Sequence, residues 1–157
     1  MSQCCVTSHT GASPTCPMNG KPTKPVERNT IESLLKPEIK ADLLPQPYYF
    51  CPAPDCDTVY VPACGDHLIT KEMLTVRVGI KETEDPVPLC YCFDYERADV
   101  REDIRHRNDT DIEKIIRERV QAGECWCEKA NPSGGCCLGE VAKAIKLAKA
   151  LQSQGLL

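Results

Sequence analysis

The sequence of 157 residues has no long apolar run. No stretch approaches the roughly 20 apolar residues that a transmembrane helix requires, and residues 1–10 lack the apolar core of a secretory signal peptide. We therefore predict that the protein has no membrane partner and resides in the cytoplasm. In that reducing compartment cysteines are expected to remain thiols or to bind metals, because structural disulfides are rare there.

The sequence also has little excess charge and no basic run. It contains 19 Lys and Arg against 23 Asp and Glu, for a formal net charge of −4. Without a run of Lys and Arg to track a phosphate backbone, we predict no nucleic-acid partner. A P-loop, a dinucleotide-binding fingerprint and a recognisable nucleophile–base pair are missing as well. The sequence therefore offers no specific indication of a turnover enzyme.

Cysteine, by contrast, is abundant, with 12 residues. Such a count indicates either a secreted disulfide framework or intracellular metal binding, and the missing signal peptide favours metal. A chain of this length forms one ordinary domain or two small ones with thin cores, which bound metals would stabilise.

The first half of the chain is predicted to contain a β-hairpin. The runs 48–50 and 58–61 are rich in aromatic and β-branched residues. Cys51 and Cys56 lie at the two ends of the proline-containing loop that joins these runs. The sequence therefore places a cysteine at each end of a hairpin loop.

Two further elements and an irregular tail are predicted around this hairpin. Thr30 is a good N-cap for a short helix over residues 31–35, and the alternating residues 74–80 indicate another strand. Residues 1–30 are rich in Ser, Thr, Gly, Pro and Cys and should be irregular unless a metal orders them.

The second half is predicted to be helical. Apolar residues at helical spacing indicate helices over residues 99–107, 112–120 and 138–151. Thr110 begins a capping-box pattern before the second of these helices, and Gly123 ends it.

The six cysteines of this half form three pairs: Cys90-Tyr91-Cys92, Cys125-Trp126-Cys127 and Cys136-Cys137. None has the two to four intervening residues typical of zinc knuckles, although a structural zinc or buried free thiols is the plainer alternative. In an extended segment side chains two apart lie on the same side, so Cys90 and Cys92 can both reach one iron of a [2Fe–2S] cluster. Cys137 is preferred over Cys136 because it lies nearer the positive N-terminus of the last helix. Trp126 is expected to shield the cluster from water.

Three cysteines of the first half are candidate zinc ligands: Cys16, Cys51 and Cys56. The segment Cys16-Pro17-Met18-Asn19-Gly20 is similar to a zinc knuckle with Asn in place of its second Cys. A structural zinc takes four ligands, and the fourth is left open among Cys4, Cys5, Asp57, Cys64 and His67. Cys4-Cys5 could also bind Cu(I) transiently, as a soft ion. Ordinary burial in a small core is the alternative for these cysteines.

Four motifs of the second half carry a family resemblance: Cys90-Tyr91-Cys92-Phe93, Cys127-Glu128, Asn131-Pro132-Ser133-Gly134 and Cys136-Cys137-Leu138-Gly139. They resemble the N-terminal domain of CopZ-type copper chaperones. More distantly, a C-x-C pair, two helices and two cysteines before a final helix resemble the bacterioferritin-associated ferredoxin-like [2Fe–2S] fold. The CopZ-type resemblance implies one zinc in the first half. It also implies four cluster ligands, Cys90, Cys92, Cys127 and Cys137, with Cys125 and Cys136 as substitutes.

A cluster ligated only by cysteine transfers single electrons, because no coordination position is open to a substrate. An electron-transfer protein is therefore favoured over a turnover enzyme. The resemblance implies copper handling, by reduction of Cu(II) to Cu(I) or by electron supply to a copper chaperone. The partner would then be a redox protein or a copper chaperone, since the sequence has no Met-x-Cys-x-x-Cys copper loop of its own. The alternative is a redox-sensing or partner-docking module in which both metals are structural.

The expected fold class is therefore α+β. A small zinc-stabilised β-hairpin domain with an irregular N-terminal tail is predicted over residues 1–87. A mainly helical [2Fe–2S] domain is predicted over residues 88–157.

Overall fold

The computed structural model describes residues 14–157 and shows a mixed α and β architecture, as predicted. Strands dominate the first half and helices the second. The first-half elements are β1 (Lys24–Val26), α1 (Arg28–Leu34), α2 (Pro37–Lys40), β2 (Tyr48–Phe50), β3 (Thr58–Pro62) and β4 (Ile69–Thr70). The second-half elements are β5 (Pro88–Cys90), β6 (Tyr95–Glu96), α3 (Arg97–Arg107), α4 (Ile112–Gln121), α5 (Cys127–Ala130) and α6 (Leu138–Ser153).

The predicted hairpin forms the centre of a four-stranded antiparallel sheet with the order β1-β2-β3-β4. Tyr49 pairs with Val61 across the hairpin, as the two apolar runs require. All five residues of β3 are buried, which means that both faces of this strand are covered. The outer strands β1 and β4 were not predicted, and β1 lies within the segment that was expected to be irregular.

The strand predicted over residues 74–80 is wrong. Leu74 makes only an isolated bridge with Leu35, and the N–H of Thr75 donates to the carbonyl of Leu34 at 2.8 Å. Gly79–Lys81 forms a 3₁₀ turn instead of a strand. The side chains of this segment do alternate. The backbone of residues 74 and 75, however, forms its hydrogen bonds with the end of α1 and not with a neighbouring strand.

The predicted first helix is present but begins earlier than expected. Its N-cap is Glu27, so Thr30 is a buried residue of α1 and not its cap. The hydroxyl of Thr30 donates instead to the carbonyl of Glu128. A good capping residue therefore serves a tertiary contact in this protein.

The three helices predicted in the second half are confirmed with small shifts at their ends. The buried residues Val100, Ile104, Ile116 and Val141 bring α3, α4 and α6 together in one core. The N-cap of α4 is Asp111, while the Thr110 hydroxyl accepts a hydrogen bond from the N–H of Ile112 at 3.2 Å. None of the helices formed by residues 14–157 is long and apolar enough to cross a bilayer.

Hydrogen bonds join the first half of the chain to the cysteine-bearing loops of the second. The hydroxyl of Tyr60, on β3, donates to the carbonyl of Pro132 at 2.6 Å. The hydroxyl of Tyr91 donates to the carbonyl of Arg77 at 2.7 Å and accepts from the N–H of Gly79 at 2.9 Å. These bonds, with that of Thr30, cross the predicted domain boundary and position residues 91 and 128–132 against the sheet.

Candidate metal centres

Three thiols of the first half meet in one buried group. The sulfur atoms of Cys16, Cys51 and Cys56 all lie within 4.8 Å of one another, and those of Cys16 and Cys56 are 3.9 Å apart. Two thiolates on one tetrahedral zinc, with Zn–S bonds of about 2.3 Å, lie about 3.8 Å apart. The spacing and chemistry of this group therefore fit a thiolate-bound metal ion.

Cys16 stands at the start of a knuckle. Its carbonyl accepts hydrogen bonds from the N–H groups of Asn19, at 3.3 Å, and of Gly20, at 2.7 Å. Gly20 has a positive φ of 70°, a conformation that favours glycine. The tight turn directs the Cys16 side chain toward the hairpin loop.

Asn19 occupies the position where a zinc knuckle has its second cysteine, but it does not act as a ligand. Its side-chain nitrogen donates to the Cys51 sulfur at 3.5 Å. Its side-chain oxygen accepts from the N–H of Lys21 at 2.8 Å. Asn19 therefore supports a ligand by hydrogen bonding.

Cys51 and Cys56 are held by the hairpin and by a buried lysine. The N–H of Cys51 donates to the carbonyl of Val59 at 2.8 Å, which closes the loop. The ammonium of Lys81 donates to the carbonyls of Ala53, at 2.7 Å, and of Cys56, at 3.0 Å. Lys81 is only 4% exposed. Sequence reasoning missed it, because a lysine in a charged segment is normally solvated.

The environment affects these groups differently. Burial raises the pKa of Cys16. Burial also acts to raise the pKa of Cys51, but hydrogen bonds from Asn19 and Ala53 and the charge of Lys81 outweigh it and hold the pKa of Cys51 below its ordinary value. Of Cys16 and Cys51, Cys51 is therefore the more readily ionised.

Three of the five candidates for a fourth ligand lie among the described residues, and none of these three joins the group. The Asp57 carboxylate is an exposed partner of Lys71, at 3.6 Å. The imidazole Nδ1 of His67 lies 2.9 Å from the Tyr48 hydroxyl. Cys64 lies outside the three-thiol group. The last two candidates, Cys4 and Cys5, lie outside the described residues.

A second group of cysteines gathers where β5 meets the N-termini of α5 and α6. The sulfur atoms of Cys92 and Cys127 are 3.3 Å apart, and Cys90 and Cys137 lie close enough to shift each other's pKa. All of these except Cys92 are buried, and Cys92 is half-buried. Each cysteine of the C-x-C motif thus lies near a later cysteine, and the prediction that Cys90 and Cys92 share one iron stays a prediction.

The two substitute cysteines lie further toward solvent. Cys125 is half-buried and Cys136 is exposed, whereas the neighbour of each points inward. Cys127 begins α5, and Cys137 is the N-cap of α6.

Backbone N–H groups point at the paired sulfurs. The N–H of Trp126 donates to the Cys92 sulfur at 3.2 Å, and the N–H of Cys137 donates to that of Cys127. Trp126 thus contributes its backbone N–H, and the residue is 50% exposed.

The thiols of this second group differ in acidity. A hydrogen bond from the Cys137 thiol, opposed by burial and assisted by the N–H of Phe93, lowers the pKa of Cys90 to about 7. Burial raises the pKa of Cys127 to about 12. Donation of the same hydrogen bond to Cys90 raises the pKa of Cys137. Neighbouring thiols thus shift each other's pKa, and metal binding would release their protons.

Comparisons with known proteins match the first half most directly. Residues 13–75 match the family model of a CopZ-type zinc binding domain. Over 90 residues the chain is 33% identical to a protein named copper chaperone CopZ from Archaeoglobus fulgidus. That alignment covers 57% of this chain and 42% of the relative, so the chain spans less than half of the relative's length.

A solved structure extends the likeness to the fold. The X-ray structure of the Archaeoglobus fulgidus CopZ N-terminal domain superposes with a TM-score of 0.68 and 27% sequence identity. The superposition covers 82% of this chain and 95% of the other. The predicted resemblance to CopZ in the first half is thereby confirmed, and a zinc-binding domain is supported there.

The knuckle geometry generates a test at Asn19. An Asn19→Cys variant would place a fourth thiolate beside the other three, since Asn19 already reaches the Cys51 sulfur. We expect zinc to bind about tenfold more tightly or better, because four thiolates complete a structural zinc site. Competition with a chromophoric chelator measures the dissociation constant.

Met18→Cys is the matched control, because the neighbouring Met18 side chain is exposed. This variant should leave zinc affinity unchanged. Equal affinities for Asn19→Cys and the unmodified chain would show that Asn19 does not stand at a ligand position.

Proposed function

We propose that this chain is a one-electron redox metalloprotein that carries a [2Fe–2S] cluster and a structural zinc and works in copper handling. The observation that carries the proposal is the presence of two close pairs of inward-facing cysteines in the second half. Cys92 pairs with Cys127, and Cys90 pairs with Cys137.

The zinc site is assigned to Cys16, Cys51 and Cys56. Three clustered, buried thiols and the matching zinc-binding family model support this assignment. The structural role follows from position, because the ion would join the knuckle to the loop of the central hairpin. A bound zinc would therefore fix the knuckle and the hairpin loop relative to each other.

The arrangement of the second group fits a [2Fe–2S] cluster better than a single zinc. A zinc site needs four thiolates around one ion, whereas a [2Fe–2S] cluster takes two thiolates on each iron. The pairs observed match the second pattern, so we assign Cys92 and Cys127 to one iron and Cys90 and Cys137 to the other. When bound, such a cluster supplies one-electron transfer.

The chain's own groups are arranged to hold negative charge in this place. The N–H groups of Trp126 and Cys137 donate to sulfur, and the N-terminus of the 16-residue helix α6 adds positive partial charge at Cys137. The guanidinium of Arg119 lies 4.0 Å from the centre of the Phe93 ring, next to the C-x-C motif. Hydrogen bonds and nearby positive charge stabilise the reduced, more anionic state and so raise the reduction potential.

The link to copper is supported by the relative named copper chaperone CopZ. In this role the reduced protein would give one electron to Cu(II), which becomes Cu(I), and would return to its oxidised state with no bond made or broken in the chain. A copper chaperone or a redox protein would be its partner. Cytoplasmic placement and transient Cu(I) binding belong to the same proposal.

One observation favours the alternative, a redox-sensing or partner-docking module. The half-exposed ring of Trp126 lies beside Cys92, where a partner could cover it. In that case both metals would be structural, and the state of the cluster would alter the surface around Trp126.

Replacement of each cysteine by serine tests the cluster assignment. We expect visible absorption to be lost or strongly changed in Cys90→Ser, Cys92→Ser, Cys127→Ser and Cys137→Ser, because each would remove a thiolate from an iron. Absorption spectra of the anaerobically purified variants measure this.

The matched controls are Cys125→Ser and Cys136→Ser, which change the outward-facing neighbours and should retain the colour. Loss of colour in Cys125→Ser with retention in Cys127→Ser would overturn the assignment at that pair. Loss of colour in Cys136→Ser with retention in Cys137→Ser would overturn it at the other pair.

Anaerobic addition of Cu(II) tests the redox role. We expect the reduced protein to convert a stoichiometric amount of Cu(II) to Cu(I), because the proposed cluster gives up one electron. A Cu(I)-specific chromophore detects the product, and the visible spectrum follows reoxidation. The cluster-free Cys92→Ser variant is the control. A cluster that disintegrates on reduction, or Cu(II) reduction no faster than in the control, would favour the structural alternative.

A further inference from the structure

Lys81 is a buried cation in contact with the three-thiol group. Its ammonium donates to the carbonyls of Ala53 at 2.7 Å and Cys56 at 3.0 Å, in the loop that carries two of the three thiols. Only 4% of the residue is exposed. A fully buried lysine is rare unless its charge is paired.

The partners of Lys81 indicate that it is protonated. Two carbonyl oxygens accept hydrogen bonds from the Lys81 nitrogen, and an ammonium has a third N–H donor that can face the sulfur atoms of the same loop. Thiolates held around a metal ion favour the charged form of a lysine beside them. The geometry therefore places a full positive charge beside thiols that a metal would ionise.

We propose that Lys81 is the charge-balancing residue of the three-thiolate centre and that it strengthens binding of a divalent ion there. The inference rests on the zinc site of the proposed function. Three thiolates and a divalent ion carry a net charge of about −1 at the site, and a single ammonium neutralises it. An unbalanced charge in a buried site is strongly unfavourable.

Other lysines near the centre do not have this environment. The Lys21 ammonium follows the knuckle but is 56% exposed and lies 3.8 Å from the Asp55 carboxylate. The Lys71 ammonium is engaged with the carboxylates of Asp57 and Glu82. Among residues 14–157, Lys81 is the lysine that is both buried and directed at the ligand loop.

The local backbone explains how a lysine comes to point inward. Lys81 ends the 3₁₀ turn Gly79–Lys81, and its N–H donates to the carbonyl of Val78 at 2.8 Å. Gly79 lies so close to Pro88 that an added Cβ would be 1.9 Å from the Pro88 carbonyl oxygen. This close approach turns the chain and directs the Lys81 side chain toward the hairpin loop.

Lys81→Met and Lys81→Gln test the proposal in the full chain. Both remove the charge, and Gln keeps N–H donors for the two carbonyls. We expect the zinc dissociation constant of each variant to rise about 10-fold to 100-fold, the range found when groups that support metal ligands are removed. Chelator competition gives the constants, and Lys21→Met, which removes an exposed lysine near the same loops, should bind like the unmodified chain.

Three results would overturn the inference. Unchanged affinity in Lys81→Met would show that the charge is unimportant, and normal affinity in Lys81→Gln would assign Lys81 a hydrogen-bonding role only. Urea unfolding of the zinc-free proteins is the third measurement. We expect the zinc-free Lys81→Gln chain to be about as stable as the unmodified chain, because Gln removes the charge and keeps N–H donors for the two carbonyls. A zinc-free Lys81→Gln chain that fails to fold would instead assign Lys81 a structural role.

These outcomes are separate from a failure of the zinc proposal itself. If the unmodified chain binds no zinc, the zinc site is wrong. If the unmodified chain binds zinc tightly and the Lys81 variants do so equally, only the role of Lys81 is wrong.

Discussion

Negative charge on buried sulfur is the constraint on which this structure depends. Thiolates removed from water need partners, because an uncompensated buried charge is strongly unfavourable. Each thiol group here has such partners in the chain: Asn19 and Lys81 at the three-thiol centre, and the N–H groups of Trp126 and Cys137 at the paired cysteines. Bound metals would supply the remaining positive charge, and the thiols belong to two of the three hydrophobic clusters formed by residues 14–157.

The two centres share one scaffold. The 3₁₀ turn that ends at Lys81 also contains Gly79, whose N–H donates to the hydroxyl of Tyr91, between Cys90 and Cys92. The Tyr60 hydroxyl, on β3, donates to the carbonyl of Pro132 in the loop before Cys137. Segments far apart in the chain thus orient both sets of cysteines on one hydrogen-bonded scaffold.

Sequence reasoning succeeded where periodicity and residue type carry the information. The amphipathic helices and the hairpin were predicted from their patterns, and the thiols of Cys16, Cys51 and Cys56 do come together. It failed where hydrogen bonds to distant backbone groups determine the local structure. Alternation over residues 74–80 identifies buried side chains, but the bond of Thr75 to Leu34 prevents a strand. Lys81 was missed because its acceptors lie 28 and 25 residues away, at Ala53 and Cys56.

The central claim is that the second half carries a redox-active [2Fe–2S] cluster beside a zinc centre in the first. Electron paramagnetic resonance of the dithionite-reduced protein, purified without oxygen and with its iron and zinc quantified, tests this most directly. The account predicts about two irons and about one zinc per chain, and a signal from about one unpaired electron for each pair of irons. A protein that holds zinc in both halves, with no iron and no signal on reduction, would contradict it.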